Sequence, residues 1–550
     1  MLSSLIRKIH QLQADPVLRR WLIGRALGRW PGEPAFTPHR PLYLDDLLPL
    51  KPESPSHDFT GSLHSQPAEP LTLELAGETV HVEMGSEAKL FQRPFDDIEA
   101  LLSLHRFSWI SSSTDPAWVG VLWRAWREEF SVPSASLAWH PYTVGERAVN
   151  ILRFARRYGL PGPPEETLSV LAAHVSAIAD RLEYFGDHHT SNHLANNGRG
   201  LFVLGLELNL AKATDLGVRI LLEEAKRLFT PTGLLREGSS HYHLLYLRLY
   251  ETAAKAAEQA GRPEAPALRA ISVKAREAAQ MLVLPGGLPL IGDISPDIPP
   301  ATLLALLDVG PGVDIPSRCC DGWLRFQSDS WSGLWHASPE GFSHMPGHGH
   351  QDTGGFELHF EDEPVFIDPG RSSYGERGEA ALYRSAMMHN ALMMDGKAPF
   401  PTNRPYYDDA FRRRIGGPQL ELSATQDGVT LTHHGFARFP HGGRHRRSWM
   451  FDGPRMTLQD TLEGRGRTSV NRTLITPLAP EPANGGIVLR GRKAIYTIDT
   501  GDDGVTIEPV TSWRAYGRGE PAHALRIKRN APLPFKGSIT LEAVANAARE

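Results

Sequence analysis

Cysteine is nearly missing from this chain: 550 residues include only two, the adjacent Cys319 and Cys320. Neighbouring cysteines strain against an ordinary disulfide, and no CxxC pair offers thiolates to a metal, so neither a disulfide framework nor a cysteine-bound zinc is expected. The redox compartment stays open. Long apolar runs are also lacking. No stretch of eighteen or more apolar residues occurs, and a membrane-spanning helix is therefore not expected. Charge of one sign is missing too: the formal net charge of -5 gives no basic field for nucleic acid or an anionic bilayer. Finally, no GxxxxGK[ST] loop or strand-anchored GxGxxG fingerprint appears, and Gly198-Arg-Gly200 does not complete a phosphate loop.

What is present reads as several units, since the length exceeds what one core serves. From Met1 to Trp30, Arg and Lys interrupt apolar residues at helical spacing (Leu2, Leu5, Ile6, Ile9, Leu12). This predicts an amphipathic helix docked on the protein, with a membrane-surface helix as the alternative. It is not the unbroken apolar core of a secretory signal, so a cytoplasmic location is the expectation, and a periplasmic or exported one the alternative. Residues 31–70, rich in Pro, Ser and His, read as an extended connector.

From about Asp96 to Leu307 the apolar period is helical. Leu168, Leu171, Val175, Ile178, Leu182 and Phe185 form one stripe, Val144, Ala148, Ile151, Leu152 and Ala155 a second, and Val218, Leu221, Ala225 and Leu228 a third. Successive amphipathic helices bury these stripes against one another as a bundle, solenoid or toroid. After about Gly322 the period falls to two, as in Phe356, Leu358 and Phe360 alternating with Glu357 and His359, which predicts antiparallel strands with one polar face. The fold class is thus multidomain α+β: residues 1–90 an N-terminal helix and connector, 91–320 a helical domain, 321–550 an antiparallel β domain.

Three polar clusters carry the chemistry. Asn192, His193, Asn196 and Asn197 place amide and imidazole donors along one helix edge, able to grip an anion; the alternative is capping and interhelix hydrogen bonding. Tyr242, between His241 and His243, opens an apolar helix whose positive dipole end favours phenolate, making it a candidate general base against the plainer reading of a core tyrosine. His140-Pro-Tyr142 with Arg147 reads equally as a cleft lining or a packed turn. The third cluster is the most informative. His350, Asp368 and His389 come from strand-like segments and suit one divalent cation, most simply Zn2+, serving equally a structural clamp or a catalytic centre. His348 shares the face of His350 in an extended chain, while Tyr374, Tyr383 and Arg384 lie between the ligands. The basic runs Arg444 to Arg447 and Arg412 to Arg414 read first as solvated surface.

These clusters, in this order, resemble the heparinase II/III family of polysaccharide lyases and its alginate-lyase relatives. Asn192-His193, Glu237-Gly-Ser-Ser-His-Tyr-His243, and Gly347-His-Gly-His-Gln-Asp352 through Asp368-Pro-Gly370 to His389-Asn390 match the family's segments, over roughly 140–460. The resemblance implies an incomplete (α/α) toroid followed by an antiparallel β-sandwich-like domain, with a substrate cleft between them. It makes Tyr242 the catalytic tyrosine, Asn192 and His193 the carboxylate contacts, His348 an assistant in proton transfer, and His350, Asp368 and His389 the metal ligands. Tyr383 and Tyr374 are outside candidates for the proton donor, and Asn196, His241, Tyr374 and Arg384 are candidates for substrate binding. Two departures stand out: Gly238 replaces a frequent Arg, and Gln351 a small residue.

The expected activity is cleavage of a uronate-containing acidic polysaccharide by β-elimination. Heparan sulfate, alginate, hyaluronan and bacterial exopolysaccharide all qualify as substrates. The alternatives are a metal-dependent glycan hydrolase and a non-catalytic glycan-binding protein of exopolysaccharide assembly. Homo-oligomer formation is left open.

Overall fold

The apolar stripes pack in helix pairs, except that the first stops with its helix at Ala179, leaving Leu182 and Phe185 beyond it and Phe185 48% exposed. A computed structural model describes residues 12, 15–28, 41–45, 50, 53–59, 61–63, 65–186, 190–307, 316–338, 348–404, 407, 412, 416–483 and 486–546. Leu2, Leu5, Ile6 and Ile9 of the expected opening helix lie outside these residues, as do all of 31–40, His188, His189, Arg413 and Arg414. A hairpin, Leu71–Leu75 with Glu78–Val82, precedes the helices.

The main helices are α1 (Ile98–Arg106), α2 (Pro116–Phe130), α3 (Pro141–Tyr158), α4 (Pro164–Ala179), α5 (Asn192–Glu207), α6 (Ala211–Leu228), α7 (Ser240–Gln259) and α8 (Ala265–Gln280). They form the incomplete toroid that the resemblance implied. α5 packs on α6 and α7 on α8, while α3 crosses α5 closely enough that a Cβ on Gly200 would lie 2.7 Å from the Gly145 Cα. Glycine at both positions is what allows that approach. Starts are locally encoded: Pro opens α3 where no intrahelical N–H bond is lost, and the Ser239 hydroxyl accepts from Tyr242 N at the start of α7.

The segment after α8 returns across the helix starts. Ser240 N donates to Ile291 O, Ser239 Oγ to Asp293 O, and Ser295 N to His241 Nδ1. This lays Asp293 to Asp297 over the ends of α3 and α7.

The strand half contains sheets of five, eight and four strands, antiparallel throughout. Aromatic residues of the five-stranded sheet (Arg318–Cys320 to Glu363–Phe366) pack on the eight-stranded sheet, with Trp335 5.6 Å from Trp449 and Phe326 5.2 Å from Phe451. This is the expected sandwich-like layering. One expectation changes. The strand Gly355–Phe360 alternates as predicted, yet all six residues are buried, because its polar face meets the helical half and not water. There the His359 ring bonds Glu357 Oε1 at 3.0 Å and accepts from Gly286 N, so both polar groups are satisfied inside the seam.

Candidate active site

The seam brings residues of both halves into one polar cluster. The ring of Tyr242, from α7, stacks on His348 with centroids 3.9 Å apart and planes 21° apart. Its hydroxyl meets that of Tyr374, which donates to Ile294 O at 3.1 Å, so the Tyr242 proton points to the Tyr374 oxygen. The expected effect of the helix start on this phenol is outweighed. Burial, reinforced by Asp293, Asp297 and Glu237, raises Tyr242 well above the ordinary phenol value, so it is protonated in the free protein.

Asp293 is the hub that the motifs did not disclose. Its carboxylate takes His348 Nδ1 at 3.2 Å, His350 Nε2 at 2.8 Å and Arg371 at 2.9 Å, with all four side chains largely buried. Burial opposes its charge, but the two imidazole hydrogen bonds and the Arg371 guanidinium hold it well below the usual carboxylate range. An ionised Asp293 accepting from His348 Nδ1–H leaves Nε2 as the lone-pair nitrogen. That nitrogen lies 3.7 Å from Glu237, whose other oxygen accepts from Tyr246 at 3.0 Å.

The amide edge of α5 divides into two pairs. Asn192 donates to the Tyr142 hydroxyl at 3.2 Å and Asn196 to the Tyr142 carbonyl at 3.0 Å. His193 and Asn197 both hold Glu183, at 2.7 and 2.9 Å. The His193 side chain remains 37% exposed, whereas Asn196 is buried with its NH2 committed to Tyr142. Tyr142 in turn reaches Asp297, which pairs with Arg106. Of the His140-Pro-Tyr142 and Arg147 group, Tyr142 joins the site and His140 borders it, its Nε2 3.5 Å from Glu183. Arg147 lies in the core, bonded to His174 and to two backbone carbonyls.

Other residues named from the sequence are placed elsewhere. The His241 ring faces the 293–298 segment, and burial pushes it down to about 3. The Tyr383 hydroxyl accepts from Thr511 N at 2.8 Å, so Tyr374, not Tyr383, meets Tyr242. Arg384 pairs with Glu376 and, with Gln351, lines a cavity of about 170 Å³ beside His350. Gly238 has φ +69, a left-handed conformation that the Arg frequent there would adopt only with strain.

His350, Asp368 and His389 bring one ligand atom each to within 4.8 Å of one another, all buried. The donors fit a divalent metal. His350 Nδ1 and His389 Nε2 are buried without a hydrogen-bond partner, and the opposite nitrogens are oriented by Asp293 and Asp368. Asp352 bonds His336 instead, at 3.0 Å.

Residues 321–534 match the family model described as Heparinase II/III-like, C-terminal. The strand half is a heparinase II/III-like C-terminal domain. The resemblance read from the motifs is thereby borne out, and the full fold agrees with it. A solved heparinase III shares the fold at a TM-score of 0.62 and 18% identity, over 82% of this chain and 78% of that one. Heparan sulfate lyase HepC from Pedobacter heparinus does so at 0.55 and 16%, over 85% and 80%. No curated protein matches the chain in sequence. Within the heparinase II/III-like domain lie His348, the three metal-fitting residues, Arg371 and Tyr374, so that domain supplies half of the cluster and the toroid the other half.

Proposed function

We propose that this chain is a polysaccharide lyase that cleaves a uronate-containing acidic polysaccharide by β-elimination, leaving a 4,5-unsaturated uronate. The observation that carries the reading is the Tyr242–His348 stack across the seam, with a protonated phenol beside an imidazole oriented by a carboxylate.

The C5 proton of a uronate is weakly acidic, so its removal requires that charge developing on the carboxylate be met by preorganised donors. Asn192 and the exposed His193 supply them. His348 Nε2 removes the C5 proton, and Asp293 stabilises the imidazolium that forms. Tyr242, already protonated, donates to the departing C4 oxygen. Tyr374 orients that hydroxyl.

Zinc is the metal that the two imidazoles and one carboxylate suit, and it would supply positive charge and a rigid anchor. His350, Asp368 and His389 would hold it, and Asp293 would couple His350 to His348. The substrate class is the uronate polysaccharides, with heparan sulfate first in line from the name of the HepC neighbour. Incubation with heparan sulfate, hyaluronan, chondroitin sulfate and alginate tests the reading. Ultraviolet absorbance of unsaturated uronate should grow on at least one; new reducing ends without that absorbance would overturn elimination.

A further inference from the structure

Away from the Tyr242 cluster, the helical domain holds a solvent-open cavity of about 590 Å³ between the loop after α1, the C-terminal turns of α3, the middle of α7 and the Asp297 segment. The starts of α3, α5 and α7 carry Tyr142, Asn192 and Tyr242, whereas this cavity is lined by Arg153 and Arg157, eleven and fifteen residues further along α3 than Tyr142, and by Arg248 on α7. At about 1.5 Å per residue, Arg153 lies roughly 16 Å along the helix from Tyr142. The Asp297–Arg106–Tyr142 layer separates the two places.

The charges around the cavity do not balance. Both carboxylates lining it have cationic partners already, Glu146 with Arg199 and Asp297 with Arg106. Among the described residues Arg153 bonds only the Asn150 side-chain oxygen, at 3.3 Å, and Arg157 lies 5.0 Å over the Tyr158 ring. Among the described residues no carboxylate pairs with Arg248, although it is half-buried. Burial first, then the neighbouring Arg153 and Arg199, push it down to about 10 against the opposite pull of Glu146 and Asp297, so those two carboxylates do not offset the crowding. A bound anion would relieve that repulsion.

The volume is that of a small-molecule site, larger than a bare ion needs. Phe154 and Tyr158 line its wall one helical turn apart, Phe154 almost fully buried and Tyr158 beneath the Arg157 guanidinium. We propose that this cavity is a second ligand site, which takes a sugar-sized molecule bearing a carboxylate through Arg153, Arg157 and Arg248. The inference is independent of the lyase reading, because the three arginines do not belong to the Tyr242 cluster and neither Tyr242, His348 nor Asn192 lines the cavity.

Calorimetric titration of the full chain at constant ionic strength tests it, with glucuronate, inorganic sulfate and glucose as probes. Glucuronate should bind the wild type, bind a Tyr242→Phe variant equally well, and bind Arg248→Gln at least about tenfold more weakly, the change expected for one lost charge-assisted hydrogen bond. Glucose should give no heat. Arg157→Gln, at an exposed position, should also weaken binding and keeps the test available if Arg248→Gln fails to fold. Failure of glucuronate to bind, unchanged affinity in both arginine variants, or loss of binding in Tyr242→Phe would overturn the proposal. Sulfate binding as tightly as glucuronate would overturn its sugar-acid part.

Discussion

Asp293→Asn is the perturbation that reaches furthest into the cluster. The asparagine keeps the shape but removes the charge that accepts from His348, His350 and Arg371, and its NH2 faces groups that are themselves donors. Arg371 is 2% exposed and is then left buried with its carboxylate partner gone, which costs about 3–5 kcal/mol of stability. His348 loses the acceptor that selects its Nδ1–H tautomer. In the Ser-His-Asp triad of serine proteases, a different chemistry, the corresponding loss of a carboxylate behind a histidine lowers kcat by about four orders of magnitude. Here the Tyr242 stack still holds the ring, so a loss between about a hundredfold and that limit is expected. The assay is kcat on the best polysaccharide substrate, followed by product absorbance, alongside the unfolding temperature of the same sample. A variant with wild-type kcat would refute the claim that Asp293 sets the state of His348, whatever its melting behaviour.

Tyr374→Phe removes the acceptor of the Tyr242 proton and should lower kcat by about tenfold with little change in KM; an unchanged kcat would remove Tyr374 from the proton path. One zinc per chain is expected by elemental analysis, and its removal by chelator, like His389→Ala, should lower the unfolding temperature; metal-free protein with unaltered melting would contradict the assignment. Burial holds His105 and His241 down to about 3 and His243 down to about 4, with Arg147 adding to the effect at His105. Below the ordinary histidine value of about 6.5, the unfolded chain therefore takes up protons that the fold refuses, and each of these histidines should cost about 1.4 kcal/mol of stability per pH unit as the pH falls toward its folded value. Melting temperatures that stay flat from pH 6.5 to 4.5 would contradict this.

The change from helix to strand was legible because the apolar period shifts from 3.6 to 2, and the chemistry was legible where it sits in short clusters such as His348 to Asp352. The Asn192 edge was readable as a set of donors, but not its division between Tyr142 and Glu183, which depends on how α3 and α5 cross. Asp293 was invisible for a simpler reason: one acid in the loop Ile291-Gly-Asp-Ile-Ser has no spacing partner, and its ligands arrive from more than fifty residues away. The polar face of Gly355–Phe360 looked solvated because alternation cannot tell water from a neighbouring domain. The helix dipole likewise suggested a phenolate at Tyr242, whereas burial among carboxylates, known only from the packing, pushes the other way.

The account is tested most directly by single-turnover formation of unsaturated uronate by Tyr242→Phe beside the wild type, both checked for equal folding and equal substrate binding. Loss of the proton assigned to the leaving oxygen should slow product formation by a hundredfold or more, while binding is retained. Product appearing at the wild-type rate would contradict the assignment of Tyr242 as the acid, and with it the mechanism built on the stacked pair.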